Sequence, residues 1–312
     1  MLINVIICTY DRYELLDQAV ASVVGQDLPV SDYQITVIDN SPDADRSREM
    51  SRRWRDTQNL LWHHEPVAGL SRARNLGLEF STTPFVAFLD DDAIASESWL
   101  SRKIEAFAYL GPATHVIGGR VRLRFQGTRP AWLADNMLCY LSECDLGEKT
   151  RLIRPDEWVV GANLSYRTAA VKEAGGFSVA LGRVGSGASL MSNDETDLQE
   201  RINARGGLAG YSPAAEVDHL VLSARLRQGW FRKRVAWQAV SDYVRAPDAS
   251  QLGAAAAWDR TKAFLASCAP ADRTLRGLAL AQSDQQRFAA QMGATYDAVQ
   301  AILAGLHEDD AG

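Results

Sequence analysis

Short apolar runs and helix-like repeats alternate along the first 110 residues of the chain. Runs such as INVIICT and YQITVIDN predict buried strands, and YELLDQAVASVVGQ places its apolar residues on one face of a helix. Strands and helices alternating at this spacing indicate an α/β fold with a mostly parallel sheet flanked by helices. Ligands of such sheets bind beyond the carboxyl ends of the strands. Polar residues follow those ends here, at Thr9–Arg12, Asp39–Asn40 and Asp90–Asp92.

The pattern becomes less regular after residue 110. THVIGGRVRLRF predicts a further strand, VVGANLSYRTAAVKEAGGF predicts a strand and a helix that ends in glycines, and DETDLQERINARGG predicts another helix. From Leu226 onward the sequence is helical and rich in alanine. We therefore predict an α/β domain over 1–224 and a helical C-terminal region over 225–312, with a soft boundary near Ala224.

Composition excludes several classes of protein. A net charge of -6 over 312 residues argues against a nucleic-acid partner. The four cysteines lack the spacing of a zinc site, which indicates free thiols in a reducing compartment. The start MLINVIICTYDR reads as a first strand rather than a signal peptide, and no apolar run approaches the roughly 18 residues of a membrane span. These features predict a cytoplasmic protein.

Three consecutive aspartates follow the buried run FVAFL. In an extended segment, side chains two apart share a face, so Asp90 and Asp92 would look into one site while Asp91 turns elsewhere. Paired carboxylates of this kind suit Mg²⁺ or Mn²⁺, with substrate phosphates completing the coordination. The alternative is a solvated loop with an aspartate as helix cap. Three carboxylates at a strand end favour the metal.

A second acidic cluster, in NDETDLQER, opens a predicted helix. Asp194 and Asp197 lie three apart and share a face, whereas Glu195 points about 100° away. The cluster either offsets the helix macrodipole or supplies a catalytic base at a site closed by the glycine-rich loop ALGRVGSGASLMSND, acting as a lid. His219, beside an acidic residue, is by itself either a structural histidine or a ligand.

Taken together, the segments resemble an inverting glycosyltransferase of family 2 with the GT-A fold. Eight pieces carry the resemblance in order and cover about residues 2–222: IICTYDRYELLDQAVASVVGQ, ITVIDNS, GLSRARNLGL, VAFLDDD, VVGANLSYR, GGF, NDETDLQERI and VDH. The resemblance implies a nucleotide-diphospho-sugar donor, most often a UDP-sugar, and an acceptor hydroxyl that the sequence does not identify. It also divides 1–224 into a nucleotide-binding half, 1–110, and an acceptor-binding half, 111–224.

The resemblance further implies roles for individual residues. The metal, Mn²⁺ or Mg²⁺, would be held by Asp92 as chief ligand and by His219. Glu195 would be the catalytic base and Asp194 its supporting neighbour, although many relatives have Glu-Asp where this chain has Asp-Glu. The nucleotide-sugar would be bound by eight residues: Thr9, Tyr10, Arg12, Asp39, Arg74, Asn75, Asp90 and Asp91.

The segment 225–245, LSARLRQGWFRKRVAWQAVSDYV with its flanks, is basic and rich in aromatic residues. Such a helix either lies on an anionic membrane surface, here the inner face of the membrane, or packs its aromatic residues against the protein. The second interpretation is favoured because the rest of the tail offers no second anchor. The helices of 250–306 would cover the acceptor side or form a homodimer contact.

Two other functions compete with a sugar transferase. A nucleotidyltransferase of similar fold would need a glycine-rich loop with a basic residue after the first strand, and CTYDRYE lacks it. A non-catalytic nucleotide- or carbohydrate-binding protein would not need both acidic clusters. The sequence therefore predicts a metal-dependent enzyme that transfers a single sugar.

Overall fold

The computed structural model describes residues 1–185 and 189–310, and among these every side chain except those of 251 and 307–310. Three residues of the loop predicted to be a lid, 186–188, therefore lie outside the described residues. The described strands are β1 (Ile3–Thr9), β2 (Tyr33–Asp39), β3 (Leu60–His64), β4 (Phe85–Asp90), β5 (Ala93–Ala95), β6 (Thr114–Phe125), β7 (Arg151–Leu152), β8 (Asn163–Arg167) and β9 (Leu208–Val221).

The strands form one mixed sheet in the order β3-β2-β1-β4-β8-β6-β9-β5, with β7 paired to β9. The first four strands are parallel, and β8 pairs antiparallel with both β4 and β6. Strand β1 lies between β2 and β4, so the order reverses beside it. Such a reversal opens a crevice at the carboxyl ends of the strands. The predicted α/β class is confirmed.

Helices cover both faces of the parallel strands because consecutive side chains of β1 point to opposite faces. Ile3, Val5 and Ile7 pack with α1 (Tyr13–Val24), and Ile6 packs on the other face with α3 (Leu70–Glu79), α5 (Thr168–Glu173) and α6 (Asp194–Asn203). Burial on both faces explains why apolar residues follow one another without alternation from Val5 to Cys8. The helices are α1 (Tyr13–Val24), α2 (Ala44–Ser51), α3 (Leu70–Glu79), α4 (Trp99–Leu110), α5 (Thr168–Glu173), α6 (Asp194–Asn203), α7 (Gln228–Arg245), α8 (Pro247–Ala266) and α9 (Gln285–Asp310).

The described chain divides into two compact units. One comprises Met1–Arg124, the described part of 142–188 and Asp194–Leu220. The other comprises Phe125–Leu141, Ser189–Asn193 and the described residues from Val221 onward. The predicted boundary near Ala224 stays a prediction, and the structure adds that two short segments before it belong with the C-terminal helices.

The helical unit is organised around the aromatic residues of α7. Phe231 is fully buried and meets Trp132 edge to face at 5.4 Å between ring centroids. Phe288 of α9 also lies against Trp132, at 4.8 Å, and the Arg232 guanidinium lies over the Phe288 ring. Phe231, an aromatic residue in the middle of 225–245, is therefore buried in the interior of this unit. The membrane contact and the homodimer both stay predictions.

None of the helices that the structure describes is both long enough and apolar enough to cross a membrane.

Candidate functional site

Two polar loops meet at the crevice beside β1. Cys8 pairs with Asp90 in the parallel register of β1 and β4, so the residues after each strand lie side by side. Thr9 donates a hydrogen bond of 2.7 Å from its hydroxyl to the Asp91 carboxylate. The sequence predicts that the two loops lie close together, because each follows the carboxyl end of a buried parallel strand.

Arg12 binds two of the three aspartates. Its Nη2 and Nε donate to the carboxylate of Asp91, and its Nη1 donates to Asp92 Oδ2 at 2.8 Å. Asp91 is 1% exposed, and burial raises its pKa to about 7 against the opposing charge of Arg12. As predicted, Asp90 and Asp92 meet in one cluster, which also contains His219 and does not include Asp91, although Arg12 contacts both Asp91 and Asp92.

Asp90, Asp92 and His219 form the candidate metal site. Strand β9 brings His219 opposite Ala93 of β5, and ligand atoms of all three residues lie within 4.8 Å of one another. The His219 Nε2 lies 3.2 Å from Asp92 Oδ1, whereas the buried Nδ1 has no hydrogen-bond partner among the described residues. Two carboxylates and an imidazole are donors that Mn²⁺ accepts, and Mg²⁺ accepts the carboxylates. The residues present thus fit a divalent cation.

A second buried cluster centres on Arg74 of α3. Its Nη1 donates to Asp194 Oδ2 at 2.6 Å, and its Nη2 lies 3.4 Å from Asp90 Oδ1. Asp194 also accepts a hydrogen bond of 3.3 Å from Ser71. Burial would raise the pKa of Asp194, but the Arg74 charge and hydrogen bonding outweigh it, so the pKa lies below its ordinary value. Asp194 is thus an ionised carboxylate whose Oδ2 is held by Arg74 and Ser71.

Glu195 differs from Asp194 because its side chain stays partly open to solvent. Gly161 keeps the space beside it clear, since a Cβ at that position would lie 3.2 Å from Glu195 Oε1 and 3.0 Å from Arg74 Nη2. Burial, and then the Asp194 charge, raise the Glu195 pKa to about 7. A carboxylate with these properties can accept a proton near neutral pH.

Asp39 lies at the end of β2, paired in register with Thr9 of β1, and it is completely buried. Its Oδ2 accepts a hydrogen bond of 2.9 Å from Tyr13, and its Oδ1 accepts the backbone N–H of Ser41 at 3.1 Å. The predicted nucleotide contact of Asp39 stays a prediction, and the structure shows that protein groups already hold both oxygens.

The remaining predicted residues are Tyr10 and Asn75. Tyr10 is partly buried, and a Cβ on Gly185 would lie 3.7 Å from its hydroxyl. Asn75 instead exchanges two hydrogen bonds of 2.8 Å with the backbone N–H and C=O of Phe177. Its side chain holds the turn after Gly175-Gly176, so the nucleotide contact predicted for it stays a prediction.

Sequence reasoning missed the part played by Ser71, near the start of α3. Gly69 precedes the helix as its cap, and the Ser71 hydroxyl donates to the Leu181 carbonyl at 2.7 Å. A sequence signal for this role exists, because Ser71 and Arg74 lie three apart on one helix face among apolar residues. A polar stripe on a buried face indicates partners elsewhere in the fold.

Comparison with known proteins identifies the family. The family described as Glycosyl transferase family 2 matches residues 4–172, more than half of the 312-residue chain. The chain therefore belongs to this family of glycosyltransferases.

Two relatives match over most of their length. The chain is 27% identical over 251 residues to the glucosyl-dolichyl phosphate glucuronosyltransferase of Haloferax volcanii, a match that covers 78% of this chain and 77% of that protein. It is 29% identical over 237 residues to the succinoglycan biosynthesis protein ExoM of Rhizobium meliloti, covering 74% and 71%.

Solved structures of low sequence identity share the fold. The mannosyltransferase PcManGT of Pyrobaculum calidifontis, in complex with GDP-Man and Mn²⁺, superposes with a TM-score of 0.64 at 17% identity, covering 96% of this chain and 86% of that one. S. aureus TarS in complex with UDP superposes with a TM-score of 0.55 at 15% identity, covering 96% and 90%. The GT-A fold implied by the sequence is confirmed.

Proposed function

We propose that the protein is a metal-dependent, inverting glycosyltransferase that moves one sugar from a nucleotide-diphospho-sugar, a UDP-sugar, to an acceptor hydroxyl. The observation that carries the proposal is the convergence of Asp90, Asp92 and His219 at the crevice where the strand order reverses. The solved relatives in complex with UDP and with GDP-Man and Mn²⁺ support a donor of this class.

The three converging side chains would hold the cation. Asp92 and His219 would be its main protein ligands, and Asp90, the third residue of the cluster, would be a further donor. A bound divalent cation neutralises charge on a diphosphate leaving group. Arg12 holds the other oxygen of Asp92 and so fixes the orientation of that carboxylate.

Glu195 is the base of the proposed reaction. It takes the proton of the acceptor hydroxyl while that oxygen forms its bond to the anomeric carbon. The bond from the anomeric carbon to the diphosphate oxygen breaks on the opposite side, and its electron pair leaves with the nucleoside diphosphate. A single displacement of this kind inverts the anomeric configuration.

Calorimetric titration of UDP, GDP and dTDP, each with and without Mn²⁺, tests the donor side. We expect Mn²⁺-dependent binding of UDP that Asp92→Asn abolishes. Binding of none of the three under either condition would overturn the proposal, and binding of GDP or dTDP alone would overturn the choice of UDP.

The Glu195→Gln variant tests the base. We expect it to retain nucleotide binding in the same titration and to lose turnover, measured as nucleoside diphosphate released from a nucleotide-sugar of the nucleotide that binds. Turnover near the wild-type rate would show that Glu195 is not the base.

A further inference from the structure

Arg74 is a buried charge between the two carboxylate clusters of the site. It is 4% exposed, with Asp194 on one side, Asp90 on the other and the ring of Phe177 5.3 Å from its guanidinium carbon. Burying a guanidinium costs several kcal/mol unless it is paired and hydrogen-bonded. Arg74 is paired with carboxylates of both clusters, and these pairs hold its guanidinium in one position. The carboxylates that it contacts are fixed as well.

The contact with Asp194 determines what lies beside Glu195. Asp194 is 2% exposed and is held by Arg74 at 2.6 Å and by Ser71 at 3.3 Å. Those bonds leave Asp194 ionised and immobile at the first residue of α6. Glu195 follows it directly, so the backbone and the charge that border the glutamate are both set through Arg74.

We propose that Arg74 is a positioning residue for the base: it holds Asp194 as a fixed, ionised carboxylate against Glu195, so that Glu195 is presented to the acceptor ready to take its proton. This inference rests on the proposed function. It assigns Arg74 a task on the acceptor side of the reaction rather than a contact with the nucleotide.

The charged residues around Glu195 shift its pKa in opposite directions. Asp194, on the same helix, raises the Glu195 pKa, and Arg74, reaching across from α3, lowers it. Tyr166 of β8 is a third titratable group that interacts with Glu195, and burial keeps its phenol protonated by raising its pKa. The two charged neighbours can therefore be removed one at a time with effects of opposite sign.

Infrared titration of the metal-free protein measures the effect without a substrate. The absorption of a protonated carboxyl group is followed against pH, and the Glu195 signal is assigned by subtracting the titration of Glu195→Gln in the same background. We expect Asp194→Asn to lower the Glu195 pKa by about 1 or more, because a negative charge beside it is lost. We expect Arg74→Gln to raise the apparent pKa of the Asp194–Glu195 pair by a similar amount.

Asp197→Asn is the matched control. Asp197 lies on the same helix and pairs with Arg201 at 2.6 Å, away from Arg74, so its loss should leave the Glu195 signal where it is. General damage to α6 would move the signal in this control too. Opposite shifts for Asp194→Asn and Arg74→Gln are therefore not explained by loosened packing.

An unchanged or raised Glu195 pKa in Asp194→Asn would overturn the inference, as would an unchanged or lowered apparent pKa in Arg74→Gln. Asp194→Asn decides alone if the arginine variant does not fold, because asparagine preserves the shape of the side chain. Failure of the proposed function is a separate result: it appears as turnover in Glu195→Gln, whereas failure of this inference leaves that variant inactive and the titration unmoved.

Discussion

Asp194 and Glu195 are neighbours in sequence that occupy opposite environments. Asp194 is enclosed by Arg74 and Ser71, and its pKa lies below the ordinary range. Glu195 has no such cation bound to its carboxylate among the described contacts, and its pKa is raised to about 7. Two carboxylates whose proton affinities are driven apart in this way are suited to different tasks, one fixed and one exchanging a proton.

The raised pKa of Glu195 predicts how the rate depends on pH. A base acts only when ionised, and the ionised fraction of Glu195 falls about tenfold for each pH unit below its pKa of about 7. We therefore expect kcat/KM to level off above this pH and to decline below it. Initial rates at low substrate concentration across about pH 5–9 measure this. A rate that stays constant down to the lower end would contradict the assignment, and Asp197→Asn should keep the wild-type profile.

His219 gives a prediction about the metal alone. Replacing His219 with alanine removes one of the three converging donors, so we expect Mn²⁺ affinity to fall by about tenfold or more. Calorimetric titration of Mn²⁺ in the absence of nucleotide provides the measurement. His64→Ala is the control, because His64 lies at the end of β3 with its Nε2 on the Ser41 carbonyl. Equal affinity in wild type and His219→Ala would remove the histidine from the site.

At the scale of elements, side chains of α3 fasten it to the segments that follow β8. Asn75 holds the backbone at Phe177, and Ser71 holds the carbonyl of Leu181. Arg201 of α6 donates to the carbonyls of Ala174 and Gly176 from the other side. The sequence pieces ARN, GGF and DLQER, far apart along the chain, are therefore parts of one hydrogen-bonded assembly.

Removing one of these ties should weaken the fold measurably. Asn75→Ala deletes two side-chain hydrogen bonds and leaves the Phe177 N–H without its partner, which should lower the free energy of unfolding by about 2–4 kcal/mol. Urea denaturation measures the loss, and Asn203→Ala, at an exposed position of α6, is the control. Equal stability of the two variants would show that the tie contributes nothing.

The local pattern of apolar and polar residues predicts the helices and strands well because it reflects which residues are buried. The run FVAFLDDD predicts both a buried strand and a site shared by Asp90 and Asp92 but not by Asp91, and both are observed. The local pattern of apolar and polar residues does not show which distant segments pair with one another. No property of the local sequence shows that β9 returns antiparallel to β5 and delivers His219 to the aspartates, or that Arg74 meets a carboxylate 120 positions away.

The same limit applies to individual roles. Arg74 and Asn75 are adjacent in the ARN piece, and the resemblance implied a single task for both. They point to different partners because neighbouring helical residues are about 100° apart around the axis. Direction on the helix, rather than membership of a motif, decided which residue reached the acidic cluster.

At the scale of the whole molecule, we expect a glycine-to-alanine substitution to change stability in opposite directions in the two compact units. A Cβ on Gly119 would lie 1.9 Å from the Ala215 carbonyl and 2.3 Å from the Asn163 amide, so Gly119→Ala forces strands β6 and β9 apart. We expect a loss of about 3 kcal/mol, measured by denaturant unfolding. Gly253→Ala, in α8 with nothing within 4 Å, should instead stabilise by about 0.5–1 kcal/mol. Equal effects at both positions would contradict the packing described.

The ion pair of Arg74 with Asp194 has a consequence for anyone recombining this enzyme with its relatives. A chimera that takes its first half from one parent and its second half from another inherits the two residues from different sources. If the second parent has no acid facing position 74, the arginine is left buried without its counter-charge, at a cost of about 3–5 kcal/mol. Crossovers placed between residues 74 and 194 therefore call for matching both positions first, whichever sugar or acceptor the exchange is meant to alter.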